Sequence, residues 1–96
     1  MARVFFRQLA RADFDAIADY IAADNPDRAL TFVDELEQAV LTLARHPQKA
    51  PLSPEAGADV RRLTHGGYNV FYRETGNKVI VLRILHGARI PPDSLE

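Results

Sequence analysis

The chain predicts an α+β fold in the order βααβββ, with an N-terminal strand and a helical hairpin packed on a small antiparallel sheet. Three patterns predict it. Two stretches of helical periodicity share one helix-start signal, three strand-like runs follow with glycine-bearing turns between them, and a proline-rich stretch joins the two halves.

Residues 3–7, Arg-Val-Phe-Phe-Arg, form a short β-branched and aromatic run suited to a first strand. Over residues 12–22 the apolar side chains Phe14, Ile17, Ala18 and Ile21 recur at helical spacing and give one buried stripe, with Asp13, Asp15 and Asp19 off it. Asn25-Pro26-Asp27 starts a second helix: the Asn side chain accepts from orphan N–H groups, proline fits the first helical position, and an early acid suits the dipole. Its stripe is Ala29, Phe32, Val33, Leu36, Val40 and Leu43. It should stop near Arg45-His46, because Pro47 disfavours helical geometry in the residue before it. Only Ala23 and Asp24 separate the two patterns, which predicts an αα-hairpin.

Residues 47–58 carry Pro47, Pro51, Pro54 and Gly57 and read as a loop crossing from helices to sheet. Strands are expected over 60–64, 68–74 and 78–86, joined by His65-Gly66-Gly67 and by a turn around Thr75-Gly76-Asn77. Period-two alternation puts Ile80, Leu82 and Ile84 on one face of the last strand and Val79, Val81, Arg83 and Leu85 on the other. The second face is apolar except for Arg83, so a cover from the chain's own tail or from a partner is expected.

A chain of 96 residues, 47% hydrophobic and 26% charged, fits one globular domain over 1–96, with 91–96 expected to be a flexible tail because of its prolines and terminal position. The absence of cysteine excludes disulfides, thiol nucleophiles and thiolate metal sites. With no signal-peptide core and no apolar run of membrane-spanning length, a cytoplasmic protein is expected. The net charge of -1 conceals an asymmetry: residues 1–58 hold six Lys and Arg against nine Asp and Glu, whereas residues 59–96 hold six against four. The strand half could face an anionic partner, or simply carry a solvated mixed-charge surface.

His46, His65 and His86 stand at unrelated spacings without a metal-binding pattern, so no metal is expected. Gly66-Gly67 lacks the Gly-Lys-Ser/Thr of a phosphate loop and reads as a turn, which leaves no support for a nucleotide cofactor. Ser53 and Ser94 sit near prolines in no nucleophile-elbow motif. What remains is Arg61, Arg62, Tyr72, Arg73, Arg83, His86 and Arg89, on or beside the last three strands. Arginines hold phosphates and stabilise developing charge, and a histidine near neutrality moves a proton, so the set suits RNA cleavage. It suits a protein-recognition surface equally well. For Tyr68 and Tyr72, on the same strand face as Val70, core packing is the default role.

Several segments in order resemble the RelE/ParE superfamily of type II toxin–antitoxin toxins over nearly the whole length. They are the run from Ala12 to Ala22, Asn25-Pro26-Asp27-Arg28-Ala29, His46-Pro47, Val60-Arg61-Arg62-Leu63, Gly67-Tyr68-Asn69-Val70-Phe71-Tyr72-Arg73 and Arg83-Ile84-Leu85-His86-Gly87-Ala88-Arg89. The resemblance implies a βααβββ toxin forming a hetero-oligomer with a cognate antitoxin, ParD-like or another small one, held as an extended or helical segment along an apolar groove or sheet edge. In RelE-like ribonucleases a catalytic arginine follows the motif resembling Gly67-Tyr68, where this chain has Asn69. The lysine positions of that branch resemble Arg62 and Val60, and no tyrosine follows Tyr72. If the chain were a ribosome-dependent mRNA endoribonuclease of RelE or YoeB type, Arg62, Arg83, His86 and Arg89 would carry the chemistry.

The first-helix pattern and the Arg83-to-Arg89 ending look more like the ParE-like branch, which implies a DNA gyrase inhibitor with no catalytic set. Arg83, His86 and Arg89 would then face the target, without sequence-specific nucleic-acid binding and without a membrane role. Arg83 has an alternative part as the ion-pair partner of an acid on the first or second helix. A toxin-like domain that binds antitoxin but has no activity is the remaining alternative.

Overall fold

The computed structural model describes residues 2–87 and 89; the tail expected to be flexible, 91–96, lies outside the described residues. The element order is β1 Arg3–Phe6, α1 Gln8–Asp24, α2 Pro26–Thr42, β2 Val60–His65, β3 Tyr68–Thr75 and β4 Lys78–His86. The sheet runs β1-β4-β3-β2. Strands β2, β3 and β4 form the expected antiparallel meander, while β1 lies parallel to β4, so the four-stranded sheet is mixed. That parallel pairing requires a long crossover, which the helical hairpin, the crossing loop and the meander together supply.

Helix α1 starts at Gln8, four residues before the expected stripe, because Ala10 is fully buried and extends the apolar row backward as Ala10, Phe14, Ile17. Arg7 occupies the N-cap without a side-chain cap bond. The hairpin turns on Asn25 alone. Its extended backbone donates N–H to the Ile21 carbonyl, and its side-chain oxygen accepts from Arg28 N at 3.0 Å, so one residue ends α1 and caps α2. Pro26 follows at the first helical position, as expected. Helix α2 closes earlier than Pro47 alone would dictate: after Thr42, the N–H groups of Leu43, Ala44 and Arg45 bond three residues back and tighten the chain into turns.

The β2–β3 hairpin turns through Gly66 at φ 53° and Gly67 at φ 84°, the left-handed pair that a two-residue turn requires. Gly66 is constrained twice, because a Cβ there would stand 2.6 Å from Phe32 Cε1. Between β3 and β4, Phe71 pairs with Arg83 and Tyr72 with Val81, which leaves Leu82 as a bulged extra residue. The bulge corrects the expected face assignment. Ile84 turns to the helix side with Val81 and Val70, while Leu85 joins Ile80 and Leu82 on the far side.

The helix-side core joins Phe14, Ile17, Phe32, Leu36 and Val40 to Val70, Val81 and Ile84. A second cluster on the other face, Val60, Phe71, Leu82 and Leu85, lies against Ala56 of the crossing loop, so that apolar face is covered in part by the chain itself. A third gathers Leu43, Ala50, Tyr72 and Val79 where helix end, loop and sheet meet. Full burial of a side chain of this size contributes about 1.5–3 kcal/mol. Among the described residues no helix is long and apolar enough to cross a membrane.

Candidate functional site

Past Phe6, which pairs with Val81, strand β1 ends, and the edge of β4 it covered is taken over by α1. Asp13 on that helix meets the exposed backbone: its Oδ2 accepts from Ile84 N–H at 3.0 Å and from Arg83 Nε at 2.7 Å, while Oδ1 accepts from Arg83 Nη2 at 3.0 Å. The two side chains are only 15% and 18% exposed. A bidentate, largely dry contact of this kind is stronger than a surface pair. Hydrogen bonding to Asp13 holds the Arg83 guanidinium above its usual range, against the opposing effect of burial.

Beside that pair lies an open groove of about 650 Å³ between α1 and the end of the sheet. Helix α1 contributes Ala16, Ile17 and Tyr20; the sheet contributes Tyr68, Ile84 and His86, and Arg89 lies beyond. Tyr20 is 75% exposed, the largest exposure among the described large apolar or aromatic side chains. Tyr68 and His86 are cross-strand partners whose rings meet edge-to-face at 5.5 Å. Behind Tyr68 the rings continue through Phe32 at 5.5 Å to His65 at 5.9 Å, where Glu35 receives His65 at 3.6 Å and Arg28 at 2.8 Å. Hydrogen bonding from Arg28 holds the Glu35 carboxyl below the usual carboxylate range.

The end of β4 next to the groove is held by backbone. Gly87 N–H donates to the Gly67 carbonyl at 2.7 Å, so the β2–β3 turn is bonded to the residue that follows β4. A Cβ on Gly87 would stand 3.0 Å from that carbonyl oxygen. Arg89 N–H then donates to the His86 carbonyl at 2.8 Å, a turn that brings Arg89 back toward the groove.

Of the seven candidates left by the sequence, His86 and Arg89 line this groove, and Arg83 stands beside it clamped to Asp13. Arg62 is elsewhere. It shares a strand face with Val60, away from the helices, and lies 3.8 Å from Glu55. Asn69 lies on that same far face, buried, with its Oδ1 accepting from Thr64 Oγ1 at 2.8 Å. Arg61 donates to the Ala50 carbonyl at 2.7 Å and Arg73 pairs with Asp59 at 3.0 Å, so both anchor the loop region. Tyr72 is fully buried, as the packing reading expected. Sequence reasoning missed Asp13, placed off the apolar stripe, and Tyr20, read only as part of a helix. No sequence signal singles out Asp13, because Asp15 flanks the buried Phe14 equally. Among the described residues no group of three or more His, Asp or Glu is placed to hold a metal ion.

Comparison with known proteins adds family to geometry. The family model of the ParE toxin of type II toxin–antitoxin systems matches residues 4–91. Toxin ParE1 of Caulobacter vibrioides is 32% identical over 78 residues, covering 80% of each chain. Among solved structures, a chain of the chromosomal ParDE toxin–antitoxin system from P. aeruginosa superposes with a TM-score of 0.78 at 27% identity, over 90% of this chain and 96% of that one. A chain of the toxin–antitoxin complex RelBE2 from Mycobacterium tuberculosis shares the fold, with a TM-score of 0.65 at 24% identity over 88% of this chain and 96% of that one.

Proposed function

We propose that this chain, which belongs to the ParE toxin family of type II toxin–antitoxin systems, inhibits DNA gyrase by binding it through the groove of Tyr20, His86 and Arg89. One observation supports the reading: of the four residues a ribonuclease would use, Arg83 is tied to Asp13 and Arg62 lies on the opposite sheet face, so among the described residues the four do not converge on the groove. Phosphoryl-transfer catalysis depends on positioned charges around one phosphate. What the groove offers instead is an exposed aromatic, a cation and an imidazole over an apolar floor, a composition suited to anchoring a protein partner. The chemistry would stay with gyrase. A cognate antitoxin neutralises the toxin in this reading, in keeping with the toxin–antitoxin assemblies among its structural relatives.

The test is a supercoiling assay with purified chain. Wild type should inhibit gyrase, and Arg89→Glu combined with Tyr20→Ala should weaken inhibition by at least about tenfold, on the scale of losing two interface anchors, with unchanged circular dichroism. Unchanged supercoiling at saturating toxin would overturn the proposal. So would ribosome-dependent mRNA cleavage that His86→Ala abolishes, because it would restore the nuclease reading.

A further inference from the structure

We propose that the end of the molecule away from the groove binds the phosphate backbone of a nucleic-acid duplex, without reading its sequence. Separate chain segments meet at this pole. Arg3 at the start of β1 is the register partner of Lys78 at the start of β4, and its N–H donates to the Asn77 carbonyl at 3.0 Å. One residue earlier, Ala2 N–H donates to the Ala44 carbonyl at 2.8 Å, which seats the turns after α2 beside the strand starts. Those turns carry Arg45, His46 and Lys49. His46 and Lys49 line an open recess of about 520 Å³ with Pro47, Gln48 and Glu74, and His46 also lines a second one with Arg45. Lys78 and His86 are the two ends of β4, so the pole stands roughly 25 Å from the groove at 3.3 Å per residue.

What gathers there is positive charge. Arg3, Arg45, Lys49 and Lys78 are exposed, and among the described residues none of them has a carboxylate within 4.0 Å. The strand arginines are committed elsewhere: Arg61 to the Ala50 carbonyl, Arg62 to Glu55, Arg73 to Asp59 and Arg83 to Asp13. The pole therefore draws its cations from both halves of the sequence. Glu74, the carboxylate in the recess, accepts from Gln48 Nε2 at 3.3 Å. Asp24 and Asp27 flank Asn25 at the other end of α2, roughly 25 Å away at 1.5 Å per residue. Arg45 and His46 also complement the carbonyl end of α2, but that role does not account for Arg3 and Lys78 on the sheet.

A duplex suits cations spread over a broad surface, because its phosphates are dense and rigid and each one neutralised releases condensed counterions. An acidic peptide loses conformational entropy when it is ordered, and exposed ion pairs return little for it. Unpaired bases need rings to stack on. The partly exposed ring at this end, Phe5, already lies under Arg3 at 5.3 Å and Lys78 at 5.8 Å. The inference goes beyond the gyrase reading and does not rest on it, since the pole shares no residue with the groove.

Fluorescence anisotropy without gyrase, using labelled twenty-base-pair duplexes of DNA and of RNA, reads the binding and tells which duplex supplies the phosphates. Wild type should bind at least one of them saturably at low salt. Its affinity should fall between about 50 mM and about 200 mM salt with a logarithmic slope of about −3 to −4, as about four contacted phosphates require. Arg45→Ala and Lys49→Ala should each flatten that slope by about one. Arg45→Glu combined with Lys49→Glu should weaken binding by at least about tenfold with unchanged circular dichroism, and Arg3→Ala with Lys78→Ala tests the sheet side if that variant folds poorly. Arg28→Ala, which removes a cation from the other end of α2, should leave the slope as it is. No saturable binding of either duplex overturns the proposal. Polyglutamate bound as tightly as the duplexes, or a loss from Arg28→Ala equal to that from Arg45→Ala, overturns it as well.

Discussion

Asp13 falls outside the apolar stripe of α1, yet the end of β4 rests on it. One carboxylate satisfies the Arg83 guanidinium twice and the Ile84 N–H once, all at 3.0 Å or less. Removing it strands a largely buried cation and a backbone donor together. Asp13→Ala should therefore destabilise the chain by about 2 kcal/mol, less than a fully buried pair would cost because the Arg83 and Asp13 side chains keep some solvent contact. Urea unfolding measures it, and a loss within error of zero would mean Arg83 finds water or another partner. Arg83→Ala should recover part of the loss in the double variant, since the stranded charge is then gone. The sequence allowed an acid on either helix as the partner of Arg83, and the structure selects Asp13. Nothing in the spacing could make that selection, because a carboxylate beside an apolar stripe looks solvated until the facing strand edge is known. His86 and Arg89, in contrast, were legible as a pair because they sit three residues apart at a strand end.

Among the elements, the helical hairpin has the tightest joint. Asn25 is its entire linker, and its side chain caps α2 through Arg28 N at 3.0 Å. Asn25→Ala should lower stability by about 1 kcal/mol, whereas Asn25→Gly should lower it by only a few tenths, because glycine also tolerates the cap conformation. Thermal melting of the two variants compares them directly; equal losses would show that the cap bond contributes little. This cap was readable from Asn-Pro-Asp alone, since local chemistry dictates it. The first helix was readable in kind but not in extent, because Ala10 is too small to mark a stripe and Arg7 supplies no capping side chain. The last strand shows a different limit. Alternation reads a face correctly only while the pairing is regular, and the bulge at Leu82 reverses every assignment after it. The parallel seat of β1 beside β4 was likewise invisible, because periodicity reports which face is buried and not which strand is adjacent.

At the scale of the whole molecule, Tyr72 ties together the parts that fold apart in sequence. Its ring lies fully buried with Leu43 from the end of α2, Ala50 from the crossing loop and Val79 from β4, and its hydroxyl donates to the Pro47 carbonyl at 2.7 Å. Helices, loop and sheet converge on one phenol. Tyr72→Phe keeps the packing but leaves the Pro47 carbonyl without that donor, so the expected loss is about 1 kcal/mol, or about 4–8 °C in Tm for a domain of this length. The phenol also carries a pH signature. Burial pushes it above its ordinary value of 10.0, so the protonated form is favoured in the folded state more than in the unfolded one. A group raised in this way contributes stability that is fully present below the unfolded value and is lost as pH rises through the folded one. Wild type should thus lose stability progressively above about pH 10. Tyr72→Phe lacks this phenol, so the stability difference between the two proteins should shrink as pH climbs past about 10. Parallel urea titrations from pH 8 to pH 11 would read the difference directly. A gap that stays constant across that range would mean the phenol ionises alike in the folded and unfolded states, reaching solvent through an opening of the crossing loop.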